Sequence, residues 1–246
     1  MCYNISYIEK RAEKYEERFS SLLPEGKPGQ LDLFDQQPQY FFVSGFAHPL
    51  LPVVKKDGIF FYEWGLIPSW AKDIHAGKEV RKMTLNARGE TIFSKPAFRA
   101  SIGKKRCLLG INGFYEWREY NRKKYPYFIR VKNEEIFSLG CIFENWVDKD
   151  TGEIKNTFSI VTTAANPLME KIHNLKKRMP LIISRSDEVS WIDEAITSQE
   201  IKNLIKPFDE MQMEAYTVSD MVNNPRNNRN VKEAMAEVTY DELPPL

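Results

Sequence analysis

The sequence predicts an α+β fold: a single domain on a curled, mostly antiparallel, barrel-like β-sheet core with peripheral helices. Three observations lead there. Short runs of strand length follow one another from residue 39 to residue 163. Helical patterns are few and scattered between them. No repeat, low-complexity tract or linker divides the 246 residues, a length that suits one large domain.

Residues 3–8 alternate as a first strand, and a charged helix over about 9–22 follows, with Glu9, Lys10, Arg11, Glu13 and Lys14. Residues 23–38 hold Pro24, Gly26, Pro28, Gly29 and Pro38 and predict a loop. Strands are expected at 39–46, 51–55 and 58–64, the last two joined by a turn at Lys56-Asp57. Further strands are expected near 106–111, 113–118, 126–131, 136–146 and 157–163, and helices at 90–102, 166–174, 187–195 and 198–205. The polar tail from about 219 to 246, with Asn223-Asn224-Pro225 and Pro244-Pro245, is expected to wrap the surface of the same domain.

Composition excludes several classes. Hydrophobic residues make up 42% and charged residues 28%, the balance of a globular chain and not of a disordered or collagen-like one. No run approaches the roughly 18 apolar residues of a membrane span, and Met1-Cys2-Tyr3-Asn4-Ile5 has no export-signal pattern. Cys2, Cys107 and Cys141 are an odd number without a CxxC pair, so a disulfide scaffold or zinc ribbon is not expected and a reducing cytoplasm fits. Cys107 and Cys141 sit in apolar strand patterns, as core thiols do. His48 and His75 stand alone; no metal and no cofactor is expected.

The formal charge of +1 hides an asymmetry. Residues 78–132 hold 15 Lys and Arg against 4 Glu, a local balance of +11, which leaves −10 elsewhere. Such segregation fits a polyanion site; basic side chains paired with distant acids would give the same count. The phosphate candidates in and near this segment are Arg88, Arg99, Lys104, Arg106 and Arg178.

Chemistry begins at Cys2. A small residue after Met1 lets the initiator be removed, leaving an N-terminal cysteine with a thiol and an α-amine on adjacent carbons. Their ordinary pKa values, about 8.5 and about 7.7–8.0, keep both near their nucleophilic forms at neutral pH. Such a 1,2-aminothiol condenses with an aldehyde to a Schiff base and then closes a thiazolidine ring; an internal cysteine cannot. The plain alternative is an incidental residue at a frayed end. Asn86-Ala87-Arg88-Gly89-Glu90-Thr91 places amide, guanidinium and carboxylate together. Glu116 stands in the aromatic run Gly113-Phe114-Tyr115-Glu116-Trp117, where burial would raise its pKa. His173 precedes Arg178-Met179-Pro180. Singly, these have structural readings too: Glu116 with Arg118, Arg88 with Glu90, His173 as a helix cap. Trp64-Gly65-Leu66-Ile67-Pro68-Ser69-Trp70 can pack a core or stack on bases.

In order, Met1-Cys2, WGLIPSW at 64–70, NARGET at 86–91, RCL at 106–108, GFYEW at 113–117, TTAAN at 162–166, His173 and RMP at 178–180 resemble the SRAP family, the SOS response-associated peptidase-like proteins. The resemblance runs from residue 2 to about Asn223. It implies covalent capture of abasic sites in single-stranded DNA through a thiazolidine at Cys2, protecting the lesion during a DNA damage response. By the same resemblance, Asn86, Glu116 and His173 are the active-site amide, carboxylate and imidazole. Arg88 and Arg178 are phosphate or sugar contacts, and Trp64 and Trp70 border the DNA groove. A monomer acting in the cytoplasm, on the nucleoid when bound, is expected, with no membrane partner. The chain departs from the family pattern in starting Cys2-Tyr3-Asn4 in place of Cys-Gly-Arg, and in the four residues between His173 and Arg178. Lys176 and Lys177 in that gap could supply the missing cation. Two other classes remain open: a thiol autoprotease with Cys2 as nucleophile and His173 as base, and a non-catalytic single-strand binder.

Overall fold

A computed structural model of the chain describes residues 2–9, 11–24 and 29–246. Lys10 and residues 25–28 of the expected first helix and loop lie outside the described residues, as does Met1. The strands are β1 (Asn4–Tyr7), β2 (Tyr40–Ser44), β3 (Leu50–Lys55), β4 (Gly58–Trp64), β5 (Asn86–Arg88), β6 (Arg106–Ile111), β7 (Gly113–Tyr120), β8 (Lys123–Val131), β9 (Phe137–Val147), β10 (Ile154–Ala164), β11 (Arg178–Pro180), β12 (Ile182–Ile183) and β13 (Met213–Thr217). The α-helices are α1 (Ala12–Phe19), α2 (Ile74–Arg81), α3 (Arg99–Ile102), α4 (Pro167–Ile172), α5 (Glu188–Ile192) and α6 (Ser198–Leu204).

Two sheets carry the molecule. One runs β13-β8-β7-β1-β2 and is antiparallel throughout. In the other, β4, β3, β6, β9 and β10 pair in succession, and β10 pairs back onto β4, closing a five-stranded ring. Every joint of the ring is antiparallel except β4–β10, which is parallel. Closure removes the open edges that a short sheet would otherwise expose. Where β9 and β10 diverge past the ring, β12 pairs with β9 and β11 with β10, while β5 adds in parallel beside β10. The curled, mostly antiparallel α+β core is thus what the sequence predicted.

All six residues of β6 are buried because both of its faces are covered. On one side, α5 lays the Trp191 indole against it, donating to the Cys107 carbonyl at 2.9 Å. The Tyr15 hydroxyl of α1 accepts from Gly110 N–H at 2.9 Å and donates to the Pro52 carbonyl at 3.0 Å, bridging β6 to β3. The expected helix at 90–102 is mostly turns. Only Arg99–Ile102 is α-helical, because Pro96 has no N–H to give and disfavours a helical residue before it. Within the predicted loop at 23–38, residues Leu31–Gln36 form a 3₁₀ helix. The tail packs onto the first sheet: Val218 bridges Glu237, Ala234 is buried, and Arg118 donates to the Pro244 carbonyl at 2.6 Å.

Candidate active site

Cys2 leads directly into β1, an interior strand held between β2 and β7. Ile5 pairs with Phe114 and Ser6 with Gly113, so the antiparallel register carries the start of the chain along β7 toward Glu116. On the other side, Gly45 N–H donates to the Tyr3 carbonyl at 2.7 Å. This is no frayed end: Cys2 is fully buried. Burial, then the charge of Glu116, raises its thiol pKa.

Above this strand lies a cleft of about 460 Å³, lined in part by Tyr3, Asn4, Glu116, Trp117 and His173. Glu116 is 4% exposed, and burial pushes its carboxyl up to about 7. His173 ends α4 as its C-cap, and its Nδ1 lies 2.9 Å from the Arg178 carbonyl. A carbonyl can only accept, so Nδ1 carries the hydrogen and Nε2 keeps its lone pair. Nε2 faces Glu116 Oε2 at 3.8 Å, and burial brings the imidazole down to about 4. At neutral pH the pair is therefore a partly protonated carboxyl against an uncharged imidazole.

The cations divide. Arg178, on β11, is held: Nη1 donates to Glu90 at 2.6 Å and Nη2 to the Thr162 carbonyl and hydroxyl at 2.8 and 3.0 Å. Glu90 is thus hydrogen-bonded to Arg178, while Arg88 acts on it through its charge alone. Arg88 ends β5 exposed, without a carboxylate partner among the described residues, and near enough for its charge to act on the Tyr3 phenol. Asn86, two residues earlier on the same face of β5, is 7% exposed with neither side-chain amide atom hydrogen-bonded. Buried polar groups are nearly always satisfied, so an unengaged amide at this position is unusual. Arg118 donates to the Pro244 carbonyl of the tail. Of the exposed candidates, Arg99 and Lys104 form no ion pair with a described carboxylate.

Two expected DNA contacts are not available. Trp64 is fully buried, stacked on Phe158 at 6.2 Å and 17°, with its indole N–H donating to the Leu85 carbonyl at 2.8 Å. No base can reach it, because it ends β4 inside the ring. Arg106 is 2% exposed and donates to the carbonyls of Trp191, Ile102, Gly103 and Asp193, closing the α3–β6–α5 corner. Trp70 does stand out, 52% exposed, with its indole N–H on the Pro96 carbonyl at 3.0 Å.

The sequence reading missed Tyr3, Lys124, Asn223 and Arg229 as cleft residues. Asn223 receives the Trp117 indole N–H at 2.5 Å and donates to the Lys124 carbonyl at 3.2 Å, joining the tail to the rim of the site. The exposed ring of Phe46 lies 5.0 Å from Tyr3 at this end of the sheet. Among the described residues no cluster of His, Cys, Asp and Glu could hold a metal ion, and no helix is long and apolar enough to cross a membrane.

Known proteins share this fold and much of this sequence. A crystal structure of a protein from Bacteroides thetaiotaomicron superposes with a TM-score of 0.88 at 37% identity, covering 97% of this chain and all of the other. A Bordetella bronchiseptica structure shares the fold at 17% identity and a TM-score of 0.72. The abasic site processing protein YoqW of Bacillus subtilis is 40% identical over 167 residues, 67% of this chain and 71% of the relative. The abasic site processing protein HMCES of Pongo abelii is 32% identical over 194 residues, covering 67% of this chain and 53% of its own length. Residues 1–225 match the model of the SOS response associated peptidase family, and with 40% identity to a relative over two thirds of its length the chain belongs to that family, SRAP.

Proposed function

We propose that this protein captures abasic sites in single-stranded DNA by forming a covalent bond to Cys2. The relatives' names give the target, and one observation carries the mechanism: Cys2 is enclosed against a carboxyl whose pKa is about 7, itself facing a neutral imidazole. With Met1 removed, the α-amine of Cys2 adds to the C1′ aldehyde of the ring-opened deoxyribose. The carbinolamine loses water to give an imine, and the thiol adds across that C=N bond, its proton going to the nitrogen. The sum is aldehyde plus aminothiol giving thiazolidine plus one water, with no oxidant or cofactor.

Glu116 serves as the proton donor to the departing water and to the sugar ring oxygen, then as acceptor from the amine. A carboxyl poised near neutrality suits both directions. His173 is its proton partner through Nε2. Asn86 offers a buried, unengaged amide to the sugar or imine, and Arg88 a free guanidinium to phosphate. Arg178 orients His173 through its carbonyl and is otherwise committed to Glu90 and Thr162. A thiol peptidase would need an activated thiolate beside an imidazolium. Here burial moves both groups toward neutrality, and the imidazole faces Glu116. The same reading has the protein act as a monomer in the cytoplasm. The test is incubation with a single-stranded oligonucleotide carrying one abasic site: a denaturation-resistant adduct is expected from wild type and none from protein with an acetylated α-amine. An adduct that survives acetylation overturns the thiazolidine route.

A further inference from the structure

The outer wall of the cleft is built by two segments that no catalytic step uses. The first is the loop between His173 and Arg178. The Asn174 side chain docks on the end of β7, accepting from Glu119 N–H at 3.0 Å and donating to the Glu119 carbonyl at 2.8 Å. These are the two bonds a neighbouring strand would make. The loop is thereby fixed, and it presents Leu175, 64% exposed, and Lys176 to the cleft. The second segment lies beyond residue 225, where the family match ends. Asn230 accepts from Phe41 N–H at 2.8 Å and donates to the Gln39 carbonyl at 2.9 Å. So anchored, the tail sets the half-buried Arg229 guanidinium 4.5 Å over the Phe42 ring, and Arg229 also lines the cleft.

Lys124, at the start of β8, completes a trio with Lys176 and Arg229. Among the described residues none of the three forms an ion pair with a carboxylate. The chain neighbours of the two lysines do: Lys123 reaches Glu242 at 3.4 Å and Lys177 reaches Glu170 at 3.8 Å. The alternation separates cations used within the fold from cations turned to the cleft. Two carboxyl groups line the same cleft against three cations: the half-buried Glu119, and the buried Glu116, on which the charge of Lys176 acts. Leaving a half-buried guanidinium without a counter-ion is costly unless a ligand supplies one, and a guanidinium fork with two ammonium groups suits a phosphodiester.

We propose that Arg229, Lys176 and Lys124 clamp a backbone phosphate of the single-stranded DNA, making the C-terminal segment part of the substrate site; this rests on the nucleic-acid reading above. The clamp positions the strand so that the abasic residue enters beside Cys2. It is tested by titrating intact, unmodified single-stranded oligonucleotide against salt for wild type, Arg229→Gln, Arg229→Lys and the triple Lys124→Gln/Lys176→Gln/Arg229→Gln variant, each checked for an unchanged melting temperature. Each phosphate no longer neutralised should reduce the log–log salt slope by about 0.7, so the triple variant, which gives up the one clamped phosphate, should lose about 0.7 of slope. Arg229→Lys should keep most of the wild-type slope. On abasic DNA, the triple variant should raise the concentration for half-maximal adduct formation more than it lowers the saturated rate. A triple-variant slope equal to wild type, or Arg229→Lys behaving as Arg229→Gln does, overturns the clamp. A wild-type protein whose slopes respond as expected but that forms no adduct would overturn the capture chemistry and leave the clamp standing.

Discussion

Glu116 Oε2 and His173 Nε2 lie 3.8 Å apart in a pocket where burial has moved both groups toward their uncharged forms, the carboxyl to about 7 and the imidazole to about 4. An ion pair here would need two charges in a place that stabilises neither. At neutral pH a partly protonated carboxyl instead faces an uncharged imidazole. The fixed hydrogen bond from His173 Nδ1 to the Arg178 carbonyl keeps the basic nitrogen on the Glu116 side.

Stability should reveal the pair through opposite pH dependences. Folding lifts Glu116 from its ordinary 4.5 to about 7, so between those values the folded state holds a proton that the unfolded state has lost. Stability contributed by this group therefore falls as pH rises through that window, by as much as about 3 kcal/mol at about 1.4 kcal/mol per unit. His173 falls from 6.5 to about 4, and its contribution rises with pH over that range. The two slopes nearly offset in wild type. Relative to wild type, Glu116→Gln should gain stability as pH rises from 4.5 to 7, and His173→Gln should lose it; urea midpoints at several pH values measure both.

Replacing Cys2 separates its two functional groups. Cys2→Ala should give no denaturation-resistant adduct. Cys2→Ser should form at most a hydrolysable imine, trapped by borohydride and lost on heating. Gels run with and without reductant check this, and an equally stable adduct from Cys2→Ala would sink the mechanism.

Asn86 should show a conflict between stability and activity. Its amide is buried with no partner, a penalty of about 1–3 kcal/mol in a folded protein. Asn86→Leu, similar in size, should therefore melt at or above wild type while adduct formation slows. A variant that is both less stable and fully active would return Asn86 to a packing role.

The two tryptophans of the WGLIPSW motif should behave differently. Trp70→Ala should weaken single-stranded DNA binding by about 1–3 kcal/mol with little change in melting. Trp64→Ala should cost about 3–5 kcal/mol of stability. Among arginines, Arg88→Ala should lower the salt slope by about 0.7, while Arg106→Ala should act through stability by orphaning carbonyls at its corner. Thermal melts beside binding titrations distinguish the pairs.

Much of the barrel was legible because its strands are apolar and short: β6 falls at 106–111 as expected, and β3 and β4 within a residue of theirs. β13, Met-Glu-Ala-Tyr-Thr, was not, since it is half-buried along most of its length and lacks an alternating pattern. α2 was hidden by Gly77 and a polar surface; its signal was the Asp73 side chain, which caps it by accepting from Ala76 N–H at 2.8 Å. For the site, Cys2 stood out by the aminothiol that only an N-terminal cysteine offers and Glu116 by its aromatic run, and both are buried. Trp64 and Arg106 misled because residue type says what a group can do and not which way its strand faces. The ring turns Trp64 inward, and α5 covers Arg106. Arg229 was unreadable for a different reason: it reaches the cleft only because Asn230 anchors a polar tail to β2.

The ring closes through the parallel pairing of Trp64 with Phe158. β3–β4, β7–β8 and β9–β10 are hairpins between chain neighbours and can form early, whereas a pairing across such sequence separation must wait for loop closure. The β4–β10 seam is the longest-range joint of the ring and should be the last of the ring's pairings to form. Trp64 is its built-in reporter, because its indole stacks on Phe158 across the seam. In a variant that keeps Trp64 alone of the five tryptophans, the fluorescence change should track the slowest refolding phase, while far-ultraviolet circular dichroism should recover earlier as the hairpins form.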